Sequence, residues 1–86
     1  DYKSELQERL QSRKDPPPEY RLIAERGKPP RMEFTIAVLM GGKEFARGMG
    51  ETRRQAEQDA ASRALHKMDG APVEGQLSDV FFLSHD

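Results

Sequence analysis

The chain has 86 residues, of which 34% are charged and 35% hydrophobic, with no cysteine and a formal net charge of −1. That length supports one small domain with a core only just adequate, and the missing cysteines exclude a disulfide framework, a thiolate nucleophile and a cysteine zinc site. No apolar run approaches the roughly 20 residues of a membrane-spanning helix, so no membrane partner is expected, and a chain without disulfide staples is expected inside the cell, in cytoplasm or nucleus.

The charge is unevenly placed. All 14 Lys and Arg lie between Lys3 and Lys67; residues 1–70 also hold twelve acids, so that body carries +2 and the last 16 residues −3. The chain opens Asp1-Tyr2 without a methionine. It is therefore expected to be a piece of something longer.

The first predicted element is a helix over Lys3–Arg13, with Tyr2, Leu6 and Leu10 in one apolar stripe. Asp15-Pro16-Pro17-Pro18 ends it, because proline lacks a donor and disfavours the α region before it. Glu19–Arg26 reads as a strand of impure period, with Tyr20, Leu22 and Ala24 on one side. Gly27-Lys28-Pro29-Pro30 is a loop. Met32, Phe34, Ile36, Val38 and Met40 alternate along a clearer strand. Gly41-Gly42 predicts a hairpin, since primed turns need positive φ. Glu44–Gly48 returns as the third strand and runs into a flexible Gly48-Met49-Gly50.

The second helix opens at Thr52, with Gln55 three residues later as in a capping box. Ala56, Ala60 and Ala64 share one face with Ala61, Leu65 and Met68. Methyl groups there let a helix lie close to a sheet. The fold class is therefore α+β, in the order α-β-β-β-α: two helices packed on one face of a three-stranded antiparallel sheet, the other face open to water. A domain is expected over residues 1–69. Residues 70–86 form an acidic C-terminal tail, read as disordered, folded back, or a short extra helix carrying Leu77, Val80 and Phe81.

No catalytic constellation is present. His66 and His85 lack a second ligand at metal-binding spacing, and His66 suits the C-terminal dipole of its helix. The serines lack a nucleophile-elbow pattern. Gly48-Met49-Gly50 is not followed by the Gly-Lys-Ser or Gly-Lys-Thr of a phosphate loop. Neither a cofactor nor a metal is expected. Arg53 and Arg54 are more informative, because cations in the first turn oppose the helix dipole. They make sense where an anion docks: backbone N–H groups, a hydroxyl and two guanidinium groups would converge on phosphate. Ordinary surface arginine is the other reading, and this motif alone leaves both open.

The element order, the Phe34-Thr35-Ile36-Ala37-Val38 strand, the Gly41-Gly42 hairpin, Gly48-x-Gly50 and TRRQAEQDAA together resemble the double-stranded-RNA-binding domain. The likeness covers about Asp1 to Met68. The opening DYKSELQERLQ is further similar to the start of that domain in ribonuclease III enzymes, where it follows the catalytic domain. The resemblance implies a non-catalytic module that binds double-stranded RNA by shape, spanning roughly 16 base pairs through two minor grooves and the phosphates between them.

The same resemblance implies three contact patches. Ser4, Gln7 and Glu8 of the first helix would meet one minor groove. Gly27, Lys28, Pro29, Pro30 and Arg31 would enter the next. Thr52, Arg53 and Arg54 would reach phosphates across the major groove. Two departures weaken the pattern: Pro30 stands where the family has a histidine, and Glu57 where it often has a lysine, although ribonuclease III-type domains resemble this chain in carrying glutamate there. The alternative is a protein-interaction module on the same fold, docking a protein partner or forming a homodimer through the sheet face or the acidic tail.

Overall fold

The computed structural model describes residues 1–70; the tail reading therefore lies outside the described residues. Helix α1 spans Tyr2–Ser12. It starts one residue before the predicted Lys3 because the Asp1 carboxylate accepts the Ser4 N–H at 2.8 Å and caps it. Its C-terminus closes before the prolines. The Lys14 N–H donates to the Gln11 carbonyl and the Asp15 N–H to the Leu10 carbonyl, the two bonds of a Schellman motif. Lys14 occupies the left-handed position of that motif, at φ 61°.

Strands β1 (Glu19–Lys28), β2 (Arg31–Met40) and β3 (Lys43–Gly50) form an antiparallel sheet in the order β1-β2-β3. All three outrun their predicted ends. The β1–β2 connection shrinks to Pro29-Pro30, joined by a cis peptide. The β2–β3 connection is the predicted glycine turn, with φ 59° at Gly41 and 82° at Gly42. A register shift between Leu22 and Ala24 breaks the alternation expected in β1. Tyr20 and Leu22 pair with Val38 and Ile36, but Ala24 pairs with Thr35, so Ala24 moves to the opposite face.

Helix α2 covers Arg53–Met68. Thr52 caps it by accepting the Gln55 N–H at 3.1 Å, while Gln55 Oε1 accepts the Glu51 N–H at 3.1 Å. Gln55 thus reaches one residue further back than a capping box requires. Ala56, Ala60, Ala61 and Ala64 are fully buried and Leu65 nearly so. Gly48, predicted to be flexible, is instead a strand residue pressed against α2. A Cβ at Gly48 would overlap the Ala60 nitrogen and stand 2.5 Å from the Ala56 carbonyl oxygen. Only a residue without a side chain admits that approach.

Leu6 and Leu10 of α1, Val38 of β2 and Ala60, Ala61, Ala64 and Leu65 of α2 make the core, with Tyr20, Met40, Phe45, Ala46 and Met68 packed around it. The face turned from the helices is not bare, contrary to the expectation of an open face. Arg21 and Arg47 stand opposite Ala37, and Glu19 and Glu44 opposite Leu39. Directly opposed residues share a face, and the flanking side chains close into Arg21–Glu19 and Arg47–Glu44 ion pairs at 2.8 and 2.5 Å. Their stems cover the central strand, leaving Ala37 0% and Leu39 4% exposed.

Candidate nucleic-acid interface

The start of α2 holds one predicted patch. Thr52, Arg53 and Arg54 are all exposed, and the first turn contains no acid. The two arginines are not equivalent. Arg53 lies over the Phe34 ring, 5.7 Å from its centroid, and 3.8 Å from Glu25 of β1. Arg54 makes no ion pair among the described residues. An exposed pair at that separation is weak, so phosphate can displace Glu25 from Arg53 at little cost.

The second patch is a tight turn, not a five-residue loop. Gly27 and Lys28 end β1 and Arg31 begins β2, with only Pro29 and Pro30 between them. Gly27 sits at φ 94°, and a Cβ there would collide with the Arg31 carbonyl. Arg26, Gly27, Arg31, Met32, Glu33 and Glu51 line a shallow depression of about 380 Å³. That depression joins the β1–β2 turn to Glu51, the residue before the cap of α2. The β1–β2 turn and the start of α2 therefore occupy one end of the sheet.

The third group, Ser4, Gln7 and Glu8, is exposed along α1 opposite Leu6 and Leu10. None of its side chains is hydrogen-bonded to another among the described residues. Residues Arg53 and Glu57 lie one turn apart on α2, as do Arg54 and Gln58. Glu57 Oε1 accepts from the Lys3 ammonium at 2.6 Å, and Gln58 Oε1 accepts the Tyr2 N–H at 2.9 Å. The start of α1 is thus fastened one turn beyond the two arginines, on their side of the helix. At its other end Arg9 pairs with Asp69. Helix α2 thus carries one patch at its N-terminus and holds α1 along its flank.

Electrostatics concentrate at the same place. Seven of the 14 cations are paired with carboxylates among the described residues: Lys3, Arg9, Arg13, Arg21, Arg47, Arg53 and Arg63. Of the seven others, Arg26, Lys28, Arg31 and Arg54 belong to the turn and the α2 start. The Arg47 bond holds the Glu44 carboxyl below its usual range. Burial, with a smaller contribution from the Glu57 carboxylate, pushes the Tyr20 phenol up to about 12. Among the described residues no group of three or more His, Cys, Asp or Glu could hold a metal, and no helix is long and apolar enough to cross a membrane.

Comparison with known proteins decides the family. The model of the double-stranded RNA binding motif matches residues 2–68. The chain belongs to the double-stranded RNA binding motif family. Ribonuclease 3 of Psychromonas ingrahamii is 41% identical over 71 residues, covering 83% of this chain and 31% of that protein. Ribonuclease 3 of Campylobacter concisus is 44% identical over 68 residues, covering 79% of this chain and 30% of that protein. The chain thus spans about a third of the length of these curated relatives. A solved structure of Arabidopsis HYL1, described for its implications in miRNA processing, superposes with a TM-score of 0.68 at 33% identity, covering 79% of this chain and 96% of that one. The second such domain of DRB4 gives 0.59 at 33% identity, covering 80% and 96%.

The α-β-β-β-α fold and the family resemblance are therefore both confirmed. As a member of this family the chain is a binding domain. Sequence reasoning missed two residues of the candidate site. Arg26 was signalled only by the density of cations from Arg26 to Arg31. Lys3 carried no signal at all, because its partner Glu57 is 54 residues away.

Proposed function

We propose that this domain binds double-stranded RNA by its A-form shape, using the α1 face, the Pro29-Pro30 turn and the start of α2. The observation that carries the reading is the clustering of Arg26, Lys28, Arg31 and Arg54, without carboxylate partners among the described residues, at the end of the sheet where α2 begins. Ser4, Gln7 and Glu8 offer donors and acceptors to 2′-hydroxyls, the group DNA lacks. Thr52, Arg53 and Arg54 take phosphates, aided by free N–H groups of the first helical turn. Gly27, Lys28, Pro29, Pro30 and Arg31 meet the second minor groove. Pro30 has no side-chain donor, so the backbone and the flanking cations supply the contacts there.

The likeness to Ribonuclease 3 proteins supports a further step: the domain is the substrate-binding module of a larger RNA-processing protein of ribonuclease III type, which would hold the cleavage chemistry elsewhere. A dimerising or protein-docking role for the sheet face finds less support, because ion pairs shield Ala37 and Leu39 there.

The test is titration of a 20-base-pair RNA duplex and its DNA counterpart across a salt series. Tighter binding to RNA is expected. Arg54→Ala should flatten the plot of log affinity against log salt by about 0.9, one phosphate contact. Arg53→Ala should flatten it by less, since Arg53 exchanges one anion for another. Equal affinity for the two duplexes, or an unchanged slope in Arg54→Ala, would refute the reading.

A further inference from the structure

Glu57 stands where the family often has a lysine and ribonuclease III-type domains carry glutamate, and here it is paired within the fold. Its carboxylate takes the Lys3 ammonium at 2.6 Å, and that ammonium sits 4.9 Å above the Tyr20 ring. Lys3 is therefore held from two sides, by a carboxylate of α2 and an aromatic face of β1. Both members of the bridge are only partly exposed, 37% for the Lys3 side chain and 28% for Glu57. The neighbouring Tyr2–Gln58 bond fixes the same end of α1. Ser4 follows Lys3 directly and Gln7 lies one turn on, so any turning or sliding of α1 at Lys3 displaces both.

We propose that Glu57 is a positioning residue for RNA recognition: by clamping Lys3 over Tyr20 it fixes α1 on α2 and so sets the reach of Ser4, Gln7 and Glu8 to the 2′-hydroxyls. This rests on the RNA-binding reading above. Glu57 need not touch RNA. Its negative charge is balanced locally by Lys3, and what it supplies is geometry. Recognition of a ribose hydroxyl depends on hydrogen bonds that weaken steeply with misalignment, whereas attraction to phosphate does not. Loosening the clamp should therefore erode the preference for RNA over DNA more than it changes binding strength.

The experiment uses the full 86-residue chain and matched RNA and DNA duplexes at one salt concentration. Glu57→Gln removes a negative charge and should tighten binding to both duplexes. Lys3→Met removes a positive one and should weaken both. Despite these opposite effects, each should cut the RNA-over-DNA preference by about two- to five-fold, the scale of a partly exposed ion pair. The exchanged pair, Lys3→Glu with Glu57→Lys, should restore most of it. Partial unfolding scales both affinities alike and leaves the ratio unmoved. A preference unchanged in both single variants would overturn the proposal, as would preferences that simply follow net charge in opposite directions. A wild-type chain with no RNA preference would instead remove the underlying functional reading, and this inference with it.

Discussion

Tyr20 gives the sharpest test of how the core was assembled. Its hydroxyl oxygen is shut off from solvent and has no hydrogen-bond partner among the described residues, while its ring packs against the core and beneath Lys3. Tyr20→Phe keeps the ring and deletes only the orphan hydroxyl. An unsatisfied buried hydroxyl costs about 1–3 kcal/mol, so the substitution should stabilise the domain by about 1 kcal/mol. For a domain of this size that is a rise of roughly 4–8 °C in Tm. The pH dependence follows from the phenol, pushed from 10.0 to about 12 by burial and then by the Glu57 carboxylate. The fold favours the neutral form. The associated stability is fully present below pH 10, where the unfolded tyrosine is also protonated, and is lost as pH climbs through 12, on the order of 2 kcal/mol in all. Urea unfolding at pH 8 to 12.5 should therefore show the advantage of Tyr20→Phe widening from about 1 to about 3 kcal/mol. Taking the difference between variants cancels lysine titration, which both share. A destabilised Phe variant at pH 8, or a difference that stays flat to pH 12, would refute the account of a dry, unpartnered phenol.

Gly48→Ala should cost about 3 kcal/mol or more, measured by urea unfolding, because its Cβ meets backbone of α2 that cannot step aside; a loss under about 1 kcal/mol would mean α2 slides freely on the sheet. Lys14→Gly should gain about 0.5–1 kcal/mol, since a left-handed lysine is strained by more than glycine loses in chain entropy. Lys14 has no ion pair among the described residues to lose, so an unchanged Tm would show that the Schellman turn tolerates it without strain.

What the sequence disclosed was governed by distance along the chain. The Thr52 cap with Gln55, the Gly41-Gly42 turn and the alanine face of α2 each depend on residues within a few positions, and each was read correctly. The end of β1, the start of β2 and both ends of β3 were not, because pairing partners decide them. Gly48-Met49-Gly50 looks flexible in isolation, but Gly48 pairs with Ile36 and Gly50 with Phe34, and the Met49 N–H donates to Asp59 at 2.9 Å. The covered sheet face was equally hidden: nothing local indicates that Arg21 and Arg47, 26 positions apart, flank the same alanine. For the site, the cations themselves were legible, and the partners that restrain them were not. Arg53 and Arg54 look alike in sequence, yet only one meets Glu25.

That difference bears on how a nearly neutral chain can take a polyanion. Net charge averages over pairs that cancel. Here half the cations are already answered by carboxylates, so they add little to long-range attraction, and those left over gather around one turn and one helix start. With few phosphate contacts, salt-sensitive and non-specific attraction stays modest. Discrimination must then come from placing α1, the turn and the α2 start at the correct mutual spacing. The alanine and glycine contacts between α2 and β3 serve that end, since short side chains leave little room for the helix to rock. On the RNA-binding reading, a strengthened basic surface would raise affinity for RNA and DNA together. Substitutions that remove the 2′-hydroxyl partners Ser4, Gln7 and Glu8, or that disturb the seating of α1 or α2, would change which of the two is preferred.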